Sequence, residues 1–454
     1  MIEQGLFRAG ERLPSIRTLS NRLHVGINTV KQAYVVLENA RVVEGRVRSG
    51  FYVSSKPLGH ESGRPKSNLV PSIVDLSNER AVAIRSMSDE RLLPLGQGSP
   101  NPELLPTAKL HCMLASQSRR FPAASASYAD PNGIHRLRVQ IAKRSLDYGC
   151  ALSADDITVT SGCVEAVTLA LQATCRVGNT VAVESPVYYT FLNAMRLLGL
   201  KILEIPAAPE GGVSLDVLRY ALLKNPVHAC LLISNFNNPL GSLMHPEKKR
   251  EIVHTLGKLA IPLIEDDVYG DLGFGSNRPP VFKTYDEKGM VLLCSSFSKT
   301  LAPGYRVGWI AAGRFQEKVR ELKSLFSVAT ATPTQLAVAE FLANGAYDRH
   351  LRTICECVAN SAAKVRSAIY RTFPRGTQTT TPAGGYVLWV ELPQGLDTSH
   401  LAEKAARNAI GIAPGRLFSL GGGFSNCLRI NHSYWSEEVG HALGTLGALV
   451  GSVV

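Results

Sequence analysis

Apolar positions first recur at helical spacing. Ile16, Leu19 and Leu23 follow Ser15, which can cap the turn they open. After a break at His24-Val25-Gly26, Val30, Ala33, Tyr34 and Leu37 fall at i, i+3, i+4 and i+7, the stripe of a second helix. The period then shortens. VVEGRVRSGFYV reads as two short strands, with turn residues at Glu44-Gly45 and Arg48-Ser49-Gly50. Residues 56–70 are polar and rich in Pro, Gly and Ser, a linker composition. Beyond them, apolar runs of strand length alternate with helical patterns: ITVTSG, TVAVES, ACLLIS, IPLIEDD, VLLCSSFSK and RVGWIAA. That alternation predicts an α/β body with a doubly wound, mostly parallel sheet. The last third differs. A long helical stretch precedes GGYVLWVEL and NCLRINHS, which predicts a smaller α+β subdomain over about 331–454. The expected organisation is a head over 1–55, a linker over 56–88 and the body over 89–454.

Charge changes this picture at one end. The chain of 454 residues carries a net charge of +12, and residues 1–66 hold eleven Lys/Arg against five Asp/Glu. A basic head points to an anionic partner, nucleic acid first, although the same charge could serve solubility alone. No apolar run reaches the roughly 18 residues of a membrane span. The opening MIEQGLFRAGERLPS has no signal-peptide core, so the expected location is the cytoplasm. The nine cysteines are scattered and form no CxxC pair, and no HExxH occurs. Buried free thiols in a reducing compartment are expected, and no metal site.

Ligand sites in such sheets lie beyond the carboxyl ends of the strands, and five motifs place polar residues there. In SSFSKTLAPGYRVGW, Lys299 follows an apolar strand, with Ser296 and Ser298 before it and Arg306 after it. A lysine in a dry pocket is favoured as the neutral, nucleophilic amine, and hydroxyls with one guanidinium suit a phosphate. In IEDDVYGDL, Asp266 ends a strand and Tyr269 follows; a carboxylate can keep a pyridine nitrogen protonated and a phenol can bond a ring oxygen. Alone, such a pair would more often be capping groups. In VTSGCVEAVTLAL, the N–H groups of Ser161, Gly162 and Cys163 open a helix and can receive phosphate. In VESPVYYTF, Tyr188 can stack on an aromatic ligand or serve as a core aromatic. In SNFNNPLGS, Asn238 precedes Pro239, which pushes its backbone to an extended form.

Together and in this order, the motifs resemble the fold-type I enzymes that use pyridoxal 5′-phosphate (PLP), the aspartate aminotransferase superfamily. The resemblance covers about residues 90–454. It implies that Lys299 binds the cofactor covalently, that Asp266 meets its pyridine nitrogen and that Asn238 and Tyr269 meet its ring oxygen. It places Tyr188 on the ring face, and Ser161, Gly162, Cys163, Ser296, Ser298 and Arg306 around the phosphate. Tyr128, in YADPNG, matches a tyrosine that reaches the phosphate of a partner subunit. Arg429, in CLRINHS, matches the arginine that clamps a substrate α-carboxylate, a bidentate task suited to guanidinium.

The segment FRAGERLPSIRTLSNRLHVGINTVKQAYVVLENARVVEGRVRSGFYV resembles the GntR type of winged helix-turn-helix. That resemblance implies double-stranded DNA as partner. It places Arg17 on a phosphate or base edge, Asn28, Thr29 and Lys31 at the start of the recognition helix, and Arg48 and Gly50 at the wing tip. A structural or protein-binding winged helix is the other reading. The family's further helix ahead of GERLPS is missing, so a truncated head is expected, and Ile27 stands where a base-reading polar residue is usual. A GntR head on an aminotransferase-like body resembles the MocR regulators. These are homodimers that take PLP, alone or with an amino compound or amino acid, as effector. An active PLP-dependent aminotransferase with a vestigial head is the alternative.

Overall fold

A computed structural model describes residues 11–23, 25–39, 43–46, 50–53, 69–73, 84 and 89–452. The chain divides into two compact units, Met1–Arg64 and Pro65–Val454.

In the first unit the two apolar stripes form helices Ile16–Leu23 and Ile27–Asn39. Ser15 caps the first, its Oγ accepting the Thr18 N–H at 3.1 Å. Gly26 opens the second, its carbonyl accepting the N–H groups of Thr29 and Val30. The Ser20 hydroxyl donates to the Val25 carbonyl at 2.6 Å and ties the intervening turn. Strands Val43–Arg46 and Gly50–Val53 pair antiparallel. Glu44 and Gly45, expected to turn, instead lie in the ladder opposite Tyr52 and Phe51. Strand pairing with an apolar partner wins over the local turn preference of Glu-Gly. Leu13, Val30, Tyr34 and Val43 form a small core, and Tyr34 stacks on Phe51 at 4.6 Å between ring centres.

The second unit is built on a nine-stranded sheet. Strands Lys201–Ala208, Thr180–Ser185, Val227–Leu232, Leu263–Asp266 and Val291–Ser296 lie side by side and parallel. Gly308–Ala311 then runs antiparallel, and Thr158–Thr160 follows it at the edge. The six expected strands are all present. Lys201–Ala208 is additional, and Ser72–Ile73 pairs with it, so part of the expected linker joins the sheet. Most of 56–88 lies outside the described residues. Helices including Cys163–Thr174 and Pro246–Lys258 cover the sheet, whose central strands are buried on both faces as parallel strands require.

A four-stranded antiparallel sheet joins Gln378–Thr379, Val387–Glu391, Cys427–Asn431 and Ala413–Pro414. It packs with helices Ala346–Thr372, Thr398–Arg407 and Glu437–Gly451 around a separate apolar core that includes Leu388, Ile430 and Leu443. This is the small α+β subdomain. Among the described residues no helix is long and apolar enough to cross a membrane.

Candidate cofactor site and nucleic-acid interface

The parallel strands end where the sequence motifs begin. Asp266 is the last residue of its strand and Ser296 the last of the neighbouring one. Asp266 is 4% exposed. Its Oδ1 accepts the Cys163 thiol at 3.1 Å and the Val268 N–H at 3.1 Å. Oδ2 has no partner among the described residues. Burial pushes its carboxyl up to about 6, against the two hydrogen bonds.

Lys299 is partly buried and its Nζ donates to the Gly98 carbonyl at 2.8 Å. Burial, reinforced by the Arg429 cation, lowers its ammonium to about 8, while Asp266 opposes the shift. Tyr269 donates its hydroxyl to the same Gly98 carbonyl at 3.0 Å. A Cβ on Gly98 would stand 3.5 Å from the Tyr269 hydroxyl and 3.6 Å from Asn238 Nδ2 and Arg429 Nη1. Three polar groups from three elements thus converge on one point that bears no side chain.

Arg429 lies on Cys427–Asn431, fully buried. Its Nη1 donates to Asn238 Oδ1 at 2.8 Å and its Nη2 to the Gly96 carbonyl at 2.5 Å. The Phe418 and Tyr189 rings lie against the guanidinium at 5.0 and 5.9 Å. Tyr188 stands beside Tyr189 and Phe191, and burial raises its phenol to about 12.

The turn expected to receive phosphate forms around Gly162, whose φ of +98° favours glycine. A Cβ there would meet the Arg306 guanidinium at 2.3 Å. Arg306 donates from Nη2 to the Ser161 carbonyl at 2.6 Å. The Ser161 N–H donates to the Glu165 carboxylate and not into the site. Cys163 turns its thiol to Asp266 while its backbone starts the helix. Ser296 Oγ accepts the Ser298 N–H at 3.3 Å. Tyr128 is 87% exposed, and no hydrogen bond among the described residues joins it to this cluster.

Two buried polar atoms here have no partner among the described residues: Ser298 Oγ and Arg429 Nε. Buried donors are rarely left unpaired. An unpaired hydroxyl one residue before Lys299 fits a phosphate, and an Nε–H with no partner among the described residues, on a clamped guanidinium, fits a carboxylate. With the amine of Lys299 and the carboxylate of Asp266, the donor set fits PLP and an amino acid.

Sequence reasoning missed the roof of the site. Asn431 Nδ2 donates to the Gln97 and Ser99 carbonyls at 2.9 and 2.6 Å, so Gly96–Ser99 is held by the strand that carries Arg429. It also missed Tyr386, whose hydroxyl donates to the Lys299 carbonyl at 2.5 Å. The position of Tyr386 in GGYVLWV, directly after a Gly-Gly pair, was the only signal.

In the head, Arg17, Asn28, Thr29, Lys31 and Gly50 are all exposed, as a duplex-facing set must be. Arg48 lies outside the described residues. Ile27 is 54% exposed at the start of the second helix. Arg12 went unnoticed in the sequence; its guanidinium lies 3.5–3.6 Å from where a Cβ on Gly50 would stand, adding a cation to the wing.

Comparison with known proteins agrees with both halves. Residues 94–446 match the family model "Aminotransferase class I and II" and residues 1–53 match "Bacterial regulatory proteins, gntR family". The chain is 38% identical over 452 residues to the uncharacterized HTH-type transcriptional regulator YjiR of Escherichia coli (strain K12), covering 99% of this chain and 96% of the relative. It is 36% identical over 454 residues to YdcR of the same organism, again covering 99% and 96%. Among solved structures, LysN of Thermus thermophilus, an alpha-aminoadipate aminotransferase complexed with N-(5′-phosphopyridoxyl)-L-leucine, superposes with a TM-score of 0.77 at 27% identity, covering 84% of this chain and 96% of LysN. The chain therefore belongs to the aminotransferase class I and II family and, with a gntR-family head in front of that body, to the MocR-type regulators.

Proposed function

We propose that the protein is a DNA-binding transcription regulator whose body binds PLP and reads an amino compound through it. The observation that carries this reading is the clamp at Arg429. A fully buried guanidinium, half satisfied by Asn238 and Gly96, keeps an Nε–H with no partner among the described residues, and its charge acts on the amine of Lys299, in a chain that also carries a gntR-type head.

PLP, when bound, supplies an aldehyde for amines and a pyridinium ring that withdraws electrons. Lys299 would hold the aldehyde carbon, its amine kept available by burial. Asp266 would hold the ring N–H on Oδ2, since Oδ1 is already occupied twice. Tyr269 and Asn238 would serve the ring oxygen, and Tyr188 the ring face. The Gly162 and Cys163 N–H groups, with Ser296, Ser298 and Arg306, would hold the phosphate; Ser161 would reach it only through its hydroxyl, since its N–H is taken by Glu165. Arg429 would exchange the Gly96 carbonyl for the carboxylate of an amino acid. The exposed Tyr128 would serve a partner subunit's site in a homodimer. Arg17, Asn28, Thr29, Lys31, Arg48 and Gly50, with Arg12, would face double-stranded DNA, and the protein would work in the cytoplasm.

The test is a gel-shift titration on the DNA upstream of the protein's own reading frame, with PLP alone and with PLP plus a panel of amino acids. A change in affinity on adding one amino compound, lost in Arg429→Ala, is the expected result. Rapid transamination with no DNA binding at low salt would instead establish an aminotransferase with a vestigial head.

A further inference from the structure

One buried cation has no part in the assignments above. Lys323, on helix Gln316–Phe326, has a side chain that is 0% exposed. Its Nζ donates to Glu165 Oε1 at 3.1 Å and Oε2 at 3.0 Å. Glu165 lies in the first turn of Cys163–Thr174. Its Oε1 also accepts the Ser327 hydroxyl, and its Oε2 accepts the Ser161 N–H. The Ser161 carbonyl in turn accepts Arg306 Nη2 at 2.6 Å. Both backbone polar groups of Ser161 are therefore fixed, one by Glu165 and one by Arg306, which sets its φ and ψ. Although burial works to raise it, the Ser327 hydroxyl, the Ser161 N–H and Lys323 together bring the Glu165 carboxyl below its ordinary value, so it is a carboxylate.

A staple between two helices would not need this chemistry. Lys323 is fully out of water and Glu165 keeps only 20% of its side-chain exposure, so both charges are largely desolvated; an ion pair so placed is a poor device for stability alone. Here the pair ends on the N–H of the residue whose carbonyl holds Arg306 Nη2. Arg306 itself has φ of +53°, and its Nη1 donates to the Pro303 carbonyl at 3.2 Å. Its guanidinium occupies the space a Cβ on Gly162 would take.

We propose that Glu165 and Lys323 are positioning residues for the phosphate end of the cofactor site, acting through Ser161 on Arg306. This rests on the reading that the Ser161–Cys163 turn and Arg306 receive the phosphate. Neither Glu165 nor Lys323 touches the ligand. The pair acts on phosphate recognition and not on covalent attachment at Lys299.

That division supplies the test, because pyridoxal carries the same aldehyde and ring without the phosphate. Affinities for PLP and pyridoxal are measured by absorbance titration of the full-length protein, for wild type, Lys323→Met, Glu165→Gln, Arg306→Ala and the double variant Glu165→Leu/Lys323→Met. We expect Lys323→Met and the double variant to lose about tenfold or more in PLP affinity, the scale of one charge-assisted hydrogen bond. Pyridoxal affinity stays within about twofold, since no phosphate contact is at stake. Glu165→Gln, which can still accept the Ser161 N–H, falls between. Unchanged PLP affinity, or an equal fall for both ligands, overturns the proposal. If Lys323→Met does not fold because it strands a buried carboxylate, the double variant decides, since it leaves no charge behind. Arg306→Ala separates the two levels. If it too treats PLP and pyridoxal alike, the phosphate assignment itself fails; if it discriminates while the Lys323 variants do not, only the relay fails.

Discussion

In the proposed function Lys299 acts as a nucleophile near neutral pH, and its surroundings suit that role. Burial and the nearby Arg429 cation bring its ammonium down to about 8. The sign follows directly. Below that value the amine is protonated and cannot attack, so the rate of PLP attachment rises with pH and levels off above about 8. An exposed lysine would level off only above about 10.4. Stopped-flow absorbance from mildly acidic to alkaline pH reads the midpoint, and a midpoint near that of free lysine would refute the assigned environment. Lys299→Ala abolishes the link that borohydride fixes; a lysine adduct recovered from that variant would move the assignment to another lysine. Arg429 answers to a different ligand. Its two Nη groups are held by Asn238 and Gly96 and its Nε has no partner among the described residues, which suits the proposed carboxylate, a group PLP lacks. In Arg429→Ala, cofactor absorption stays intact while amino acids no longer perturb the spectrum. Equal loss of PLP binding would show that the guanidinium supports the cofactor itself.

At the scale of elements, the phosphate turn depends on a close backbone approach. A Cβ on Gly308, in strand Gly308–Ala311, would stand 2.6 Å from the Gly162 carbonyl carbon and 2.9 Å from the Ser295 carbonyl oxygen. Backbone cannot step aside as a side chain can. Gly308→Ala should therefore displace the turn, lower stability by about 1–3 kcal/mol and weaken PLP binding. Gly304→Ala, whose Cβ meets nothing within 4 Å, is the control on the same connection. Thermal unfolding with and without PLP measures both. Six strands of this sheet were legible because each is a short apolar run ending in a polar motif. Lys201–Ala208 was not, because Glu204 and Pro206 interrupt it. Glu204 is acceptable there because the Ser185 and Ser419 hydroxyls and the Leu420 N–H bond its carboxylate, contacts from 19, 215 and 216 residues away in the chain. The site divides the same way. Lys299, Asp266 and Asn238 sit at strand ends with local motifs around them. Gly98 lies in no motif, and nothing in CLRINHS singles out Asn431 beside Arg429; their roles arise when distant segments of the chain meet, as Asn431 meets Gln97 across 334 residues. Glu44-Gly45 failed for the opposite reason, a local turn signal overruled by pairing with Tyr52 and Phe51.

On the scale of the whole molecule, charge is concentrated in front. Residues 1–66 hold eleven Lys/Arg against five Asp/Glu, and Arg12, Arg17 and Lys31 are exposed. DNA binding should accordingly weaken steeply with salt, by about 0.9 in the slope of log K against log salt for each phosphate neutralised. Arg17→Ala flattens that slope by about one if it meets only a phosphate, and also relaxes sequence preference if it meets a base edge. Fluorescence anisotropy at several salt concentrations distinguishes these, and an unchanged slope would remove Arg17 from the interface. The body follows another order, that of synthesis. Gly96 and Gln97 are made early, and the Arg429 and Asn431 side chains that hold them come 333 and 334 residues later. Lys299, Asp266 and Asn238 all leave the ribosome before either clamp exists. The seat for a carboxylate is thus the last part of the site to be synthesised, and the early Gly96–Ser99 segment is fixed in place only once translation has passed Asn431.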